Sequence, residues 1–138
     1  MEVVEQLDDR KSINNKTQNS FIIQSKLCSL NDYVNACRSN AYKGAKFKRE
    51  VEDIIGWYIA ISKLPKISSP VIIHFEWHEK TKRRDADNIA SAKKFILDAL
   101  VKQGILIDDS RKYVRGFTDT IIDDAKDFVV VNIQQVKG

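Results

Sequence analysis

Residues 71–78, VIIHFEWH, alternate so that Val71, Ile73, Phe75 and Trp77 fall on one side of an extended chain and Ile72, His74, Glu76 and His78 on the other. Successive side chains of a strand point to opposite faces, so this is a half-buried strand with one face turned to a core. The rest of the chain has to supply what covers that face.

From about 42 to 64 the apolar residues Phe47, Val51, Ile54, Ile55, Tyr58 and Ile61 recur at helical intervals, with Lys46, Arg49, Glu50 and Asp53 mainly opposite. That spacing predicts an amphipathic helix, ended by Pro65 and the Ser68-Ser69-Pro70 cluster. A second helix is expected over 87–102, stopped by Gly104. Short strands are expected at 21–27, 113–122 and 128–136, the last two joined by a turn at 123–127, with a loop at Asn31, Asp32 and Tyr33. The order strand, helix, strand, helix, strand, strand predicts an α+β class. It is a small mixed, mostly antiparallel sheet with two main helices packed on it, in a single domain. Residues 1–20 read as a polar arm and 21–138 as the folded domain.

At 138 residues the chain is long enough for one hydrophobic core, and 43% hydrophobic with 30% charged residues is ordinary for a globular protein. No apolar run reaches the roughly 20 residues of a membrane span. MEVVEQLDDR lacks the basic and apolar regions of a signal peptide, so a cytoplasmic setting is expected. Cys28 and Cys37 have no metal-binding spacing and read as free thiols. The net charge of +4 conceals a split. The first nine residues hold four acids and no Lys or Arg, leaving 23 basic against 15 acidic residues and a net of +8 from Arg10 onward. A basic body suits a polyanion such as nucleic acid, because neutralised phosphates release counterions; a solvated surface would carry the same charge.

Chemistry concentrates in residues 82–109, KRRDADNIASAKKFILDALVKQGILIDD. Asp85 and Asp87 open the second helix, and Asp108 and Asp109 follow it after Ile105-Leu106-Ile107. If that link is an extended segment beside the first helical turn, the two acidic pairs converge. Converging carboxylates repel one another unless a cation lies between them, and a hard ion with oxygen ligands, Mg²⁺ or Mn²⁺, meets that need. Such an ion activates water and neutralises a phosphodiester under attack. A lone D-x-D-N opening a helix reads more readily as a cap, and Asp108-Asp109-Ser110 alone reads as a turn. The balance shifts because Lys80, Lys82, Arg83 and Arg84 run directly into Asp85, as phosphate capture beside a hydrolytic centre requires. Lys94 lies two turns from Asp87 on a shared polar face, whereas Lys93 borders the apolar stripe. Asp123, Asp124 and Asp127 read as turn residues and His74 and His78 as sheet residues. Trp57 and Trp77 read as core or interface.

The runs R-R-D-A-D-N-I, K-F-I-L-D-A-L-V-K-Q-G and I-L-I-D-D, in this order between Arg83 and Asp109, resemble the signature of the RusA family of Holliday-junction resolvases of bacteria and their phages. The resemblance implies a Mg²⁺-dependent endodeoxyribonuclease, with Mn²⁺ able to substitute, that resolves four-way junctions by paired symmetric cuts in recombination and repair. It implies that Asp85, Asp87 and Asp109 hold the metal, with Asp108 as a neighbouring acid. Lys94 matches the family's functional lysine, although its distance from Asp87 is three residues longer than in the founding member. Arg84 and Asn88 match flanking polar positions. Arg83, Lys82 and Lys93 are further expected DNA contacts. The family acts as homodimers, and two equivalent strands call for two sites related by a two-fold axis. The alternatives are cleavage of other branched DNA, such as flaps or forks, and DNA binding without catalysis.

Overall fold

The computed structural model describes residues 18–28 and 30–136. The expected polar arm falls mostly outside these residues, and its last three, Gln18 to Ser20, belong to the first strand. In chain order the elements are β1 (Gln18–Ile23), α1 (Leu30–Ser39), α2 (Ala41–Ser62), β2 (Val71–Glu79), α3 (Ala86–Ala90), α4 (Lys93–Lys102), β3 (Val114–Asp123) and β4 (Phe128–Gln135).

The strands form one sheet in the order β1-β4-β2-β3. β4 is antiparallel to both β1 and β2, and β3 is parallel to β2. This is the expected mixed, mostly antiparallel α+β arrangement. Along β2 the alternation is realised and extended by one residue: Val71, Ile73, Phe75, Trp77 and Glu79 are buried. Register aligns Phe75 with Val131 of β4, which faces Phe21 of β1. The covered face is therefore continuous across three strands. Ile55 and Ile59 of α2 and Phe95, Ile96, Ala99 and Leu100 of α4 join the same core cluster.

Three expectations change. The loop at residues 31–33 is helical: α1 follows the apolar spacing of Leu30, Tyr33, Val34 and Cys37, and Asn40 then caps α2 by accepting from the Lys43 N–H at 2.7 Å. The helix expected over 87–102 is interrupted at Ser91 and Ala92, giving a five-residue α3 and a separate α4. Finally, β3 and β4 are not neighbours. Residues 124–127 carry the chain across the end of β2, so β4 pairs on the far side of β2 from β3. That crossing is fastened to β2, since the Asp124 N–H donates to the Glu79 carbonyl at 3.0 Å and the Lys80 N–H to Asp127 Oδ1 at 2.8 Å. Gly104 ends α4 as expected. Its φ of 77° is in the left-handed region that favours glycine, and it carries paired bonds from Gly104 N to Val101 O and from Ile105 N to Leu100 O.

Among the described residues, no helix is long and apolar enough to cross a membrane.

Candidate active site

The chemistry-bearing loop leaves the sheet at Glu79. This carboxylate occupies the buried phase of β2 and is only 6% exposed at its side chain. A buried charge needs a partner, and Arg84 provides it. Its Nε donates to Glu79 Oε1 at 3.1 Å and its Nη2 to Glu79 Oε2 at 2.8 Å. The third arm of the guanidinium, Nη1, donates to the Leu27 carbonyl at 2.9 Å, tying the loop to the segment that follows β1. Arg84 thus spends its fork within the protein, 16% exposed, and the position directly before Asp85 is fixed.

Asp85 is the residue before α3, with extended backbone (φ −74°, ψ 156°) and its carbonyl accepting the Ile89 N–H at 3.0 Å. Its side chain makes no capping bond. The capping role that a D-x-D-N sequence suggests is therefore not filled by this carboxylate. Asp87 lies in the first turn of α3, and the buried Ile89 anchors that turn. Asp85, Asp87, Asn88 and Ser91 line one cavity of about 250 Å³, and Asn31 of α1 lines it as well. Both carboxylates are exposed and without a hydrogen bond or ion pair among the described residues.

The other predicted residues lie elsewhere. Ile105 and Leu106 do not run beside α3. They are buried against Ile67, with a β-bridge from Ile67 to Leu106 and a 2.8 Å bond from Ile67 N to Ile105 O. Asp108 and Asp109 then precede β3, whose first residue Val114 is paired with Val71 at the beginning of β2, while Asp85 follows its end. Asp108 Oδ1 accepts the Ser110 N–H at 3.2 Å, closing a turn. Asp109 is exposed and makes no such contact among the described residues. Among those residues no group of three or more His, Cys, Asp or Glu side chains is arranged to hold a metal ion. Within one chain the two acidic pairs do not form a common cluster.

Lys94 stands on α4, so the face relation that a single helix would have given it with Asp87 no longer applies. It is 66% exposed at its side chain and 3.9 Å from Asp98. Asp98 also lies 3.5 Å from Lys48, which in turn faces the buried Glu52 at 3.8 Å. Lys93 turns toward the sheet. Its Nζ is 2.5 Å from Asp119 Oδ2 and lies over the rings of Phe117 and Phe75, while Asp119 Oδ1 accepts the Trp77 indole N–H at 2.9 Å. Lys82 and Arg83 are exposed, with Lys82 3.8 Å from Asp123.

Two residues of this region escape a reading of the sequence alone. Asn31 lies in a stretch whose Asn and Asp content predicts a loop, and only the helical spacing of residues 30–37 gives it a fixed position. Glu79 lies one step beyond the alternating run that ends at His78. Carrying it one step further puts an acid on the buried face and asks for a nearby cation.

The two carboxylates with the neutral oxygens of Asn88, Asn31 and Ser91 are an all-oxygen donor set of the kind a hard divalent cation takes. Mg²⁺ keeps several waters and commonly needs one or two carboxylates from the protein, so Asp85 and Asp87 suffice to fit it. A family profile described as endodeoxyribonuclease RusA matches residues 6–134. No curated protein matches the sequence.

Proposed function

Because the chain belongs to the RusA endodeoxyribonuclease family, we propose that it hydrolyses phosphodiesters of four-way DNA junctions with Mg²⁺ held at Asp85 and Asp87. The supporting observation is the open cavity between α1 and α3, in which two carboxylates without a cationic or capping partner meet neutral oxygen donors. An ion bound there supplies an activated water and neutralises charge on the phosphate. Asp85 and Asp87 orient the ion, and Asn31 and Asn88 have amide groups suited to phosphate or water. The Arg84–Glu79 pair holds Asp85 in place and has no free donor fork for DNA. Lys82 and Arg83, exposed on the preceding loop, are the better candidates for the DNA backbone. Mn²⁺ is expected to substitute. The protein works as a homodimer that cuts two equivalent strands during recombination and repair, in the cytoplasm.

Asp109, with Asp108, remains the third acid that the family signature brings. Its separation from Asp85 and Asp87 within one chain favours a second reading, in which the protein binds branched DNA without cutting it. Cleavage of four-way junctions, flaps and linear duplex with Mg²⁺, Mn²⁺ or EDTA decides between them. Loss of a metal-holding carboxylate removes several kcal/mol of transition-state stabilisation, so Asp87→Asn is expected to slow junction cleavage on the order of 10³-fold while junction binding persists. Cutting by Asp87→Asn at the parental rate refutes the proposed site, and binding without cutting under every metal establishes the second reading. An unaltered rate in Asp109→Asn would leave the ion to Asp85, Asp87 and water alone.

A further inference from the structure

Charge is unevenly placed along β2. At the end where this strand stops, residues 79–88 and 123–127 hold five bases against six acids. Two of those bases are already engaged, Arg84 by Glu79 and Lys82 by Asp123 at 3.8 Å. This is the end that carries Asp85 and Asp87, so without a bound cation it has no positive surplus to hold a polyanion. Where β2 and β3 begin, the balance is reversed. The segments that follow α2 and α4 meet there through the Ile67–Leu106 bridge, and the Val71 N–H donates to the Tyr113 carbonyl at 2.8 Å, fixing the 110–113 turn beside them. Residues 63–70 and 102–115 hold six bases, Lys63, Lys66, Lys102, Arg111, Lys112 and Arg115, against Asp108 and Asp109. All six are exposed, and among the described residues none is in an ion pair. Lys63 and Lys102 suit the C-terminal ends of α2 and α4, a role that needs no ligand. Lys66, Arg111, Lys112 and Arg115 stand at no helix end. Arg115 is moreover the extra residue at a register shift: Val71 pairs with Val114 and Ile72 with Gly116, which leaves Arg115 without a partner on β2. Such a bulge turns a side chain out of the regular pleat.

We propose that this end of the molecule is a second DNA surface, separate from the cavity at Asp85 and Asp87, which grips the phosphate backbone of a duplex arm. A solvated surface intersperses charges of both signs, whereas six bases with two opposing acids produce a field that draws a polyanion. The scale also fits. β2 has nine residues, so at roughly 3.3 Å per residue its two ends stand about 26 Å apart, the length of about eight base pairs of duplex. An arm that enters the cavity therefore reaches the far end within one helical turn. Affinity and chemistry are divided between the two ends. The far end supplies counterion release, and the near end supplies the metal ligands.

This inference rests on the junction-nuclease reading, and binding measured apart from cutting separates the fates of the two ideas. The test combines Lys66→Gln, Lys112→Gln and Arg115→Gln. All three side chains are exposed, so the thermal unfolding curve should not move. Junction binding is read by fluorescence anisotropy in EDTA. With about five phosphate contacts the parent should lose several-hundred-fold in affinity between 50 and 200 mM salt, and three fewer contacts should leave a loss of only about ten-fold. Single-turnover cleavage with Mg²⁺ at saturating protein should run at the parental rate, because these side chains do not touch the reacting phosphate. A salt dependence equal to the parent's overturns the assignment, and so does a saturated cleavage rate that falls ten-fold or more. Loss of binding to anionic phospholipid vesicles with junction affinity unchanged overturns it in favour of a membrane surface. If the parent cuts junctions while the variant keeps the parental salt dependence, the enzymatic reading stands without this surface. If binding depends on these residues as expected yet no metal supports cutting, the surface stands and the enzymatic reading falls.

Discussion

Asp85 and Asp87 illustrate what a sequence can and cannot say about a single side chain. An aspartate before a helix has two roles open to it, cap or ligand, and the letters R-R-D-A-D-N are the same for both. The Asp85 carboxylate makes no bond to the α3 amides, so the capping role is not the one it fills. Asp109 shows the reverse. Its place in the signature was evident, but its distance from Asp85 depends on where the Ile105–Leu106 link packs, and that is decided by Ile67, some 40 positions earlier in the sequence. The two thiols are also distinguished only by their surroundings. Burial, reinforced by the neighbouring Asp32 charge, pushes the Cys28 thiol from 9.0 up to about 11. The thiolate is the reactive form, so at neutral pH Cys28 carries roughly 100-fold less of it than an ordinary cysteine. Alkylation followed by peptide mass mapping should find Cys28 modified about that much more slowly than an unfolded control. Equal rates would contradict this burial.

Elements depend on partners more than on local propensity. β2 could be read because its alternation is uninterrupted. α2 could be read because 22 residues give several turns of periodicity. α1 is short and carries Asn31, Asp32 and Asn35, residues typical of loops that mask its apolar spacing. The break at Ser91 and Ala92 is also silent in the sequence, since neither residue disfavours a helix enough to announce it. The loop between β2 and α3 is held by the Arg84–Glu79 pair, and removing one member leaves the other charge buried. Arg84→Ala should therefore cost on the order of 3–5 kcal/mol in denaturant unfolding, a far larger loss than a phosphate-contacting surface arginine would show. A change below about 0.5 kcal/mol would mean that the pair does not hold this loop. The crossing segment at 124–127 has its own pH signature. A hydrogen bond from His78, then one from the Ala125 N–H, holds the Asp124 carboxyl below its ordinary 3.8. A carboxylate with a depressed folded-state pKa contributes stability that is complete above the unfolded value and disappears as pH falls through the folded one. Asp124→Asn should thus be less stable than the parent at neutral pH, and thermal unfolding curves of the two should merge in strong acid. A gap that persists in strong acid would assign the effect to something other than this charge.

For the molecule as a whole, the class of fold was legible because one strand with a dry face and one long amphipathic helix leave few alternatives. The strand order was not, since pairing beyond neighbours in sequence leaves no local trace. The positive balance beyond the first nine residues was equally plain, and it bears on affinity more than on shape. If about five phosphates are contacted, junction affinity should fall roughly 10²- to 10³-fold between 50 and 200 mM salt, read by fluorescence anisotropy. A flat dependence would mean that the basic surface does not meet the backbone. The placement of β4 between β1 and β2 also sets a timetable for synthesis. A ribosome that has already released β1, α1, α2 and β2 has produced two strands with no mutual bonds, because the strand that joins them comes last of the four. Nascent chains stalled before residue 128 can pair β2 only with β3, so β1 and the free edge of β2 should stay protease-sensitive and rely on chaperones, and arrival of β4 should make the β1 side of the sheet resistant in one step.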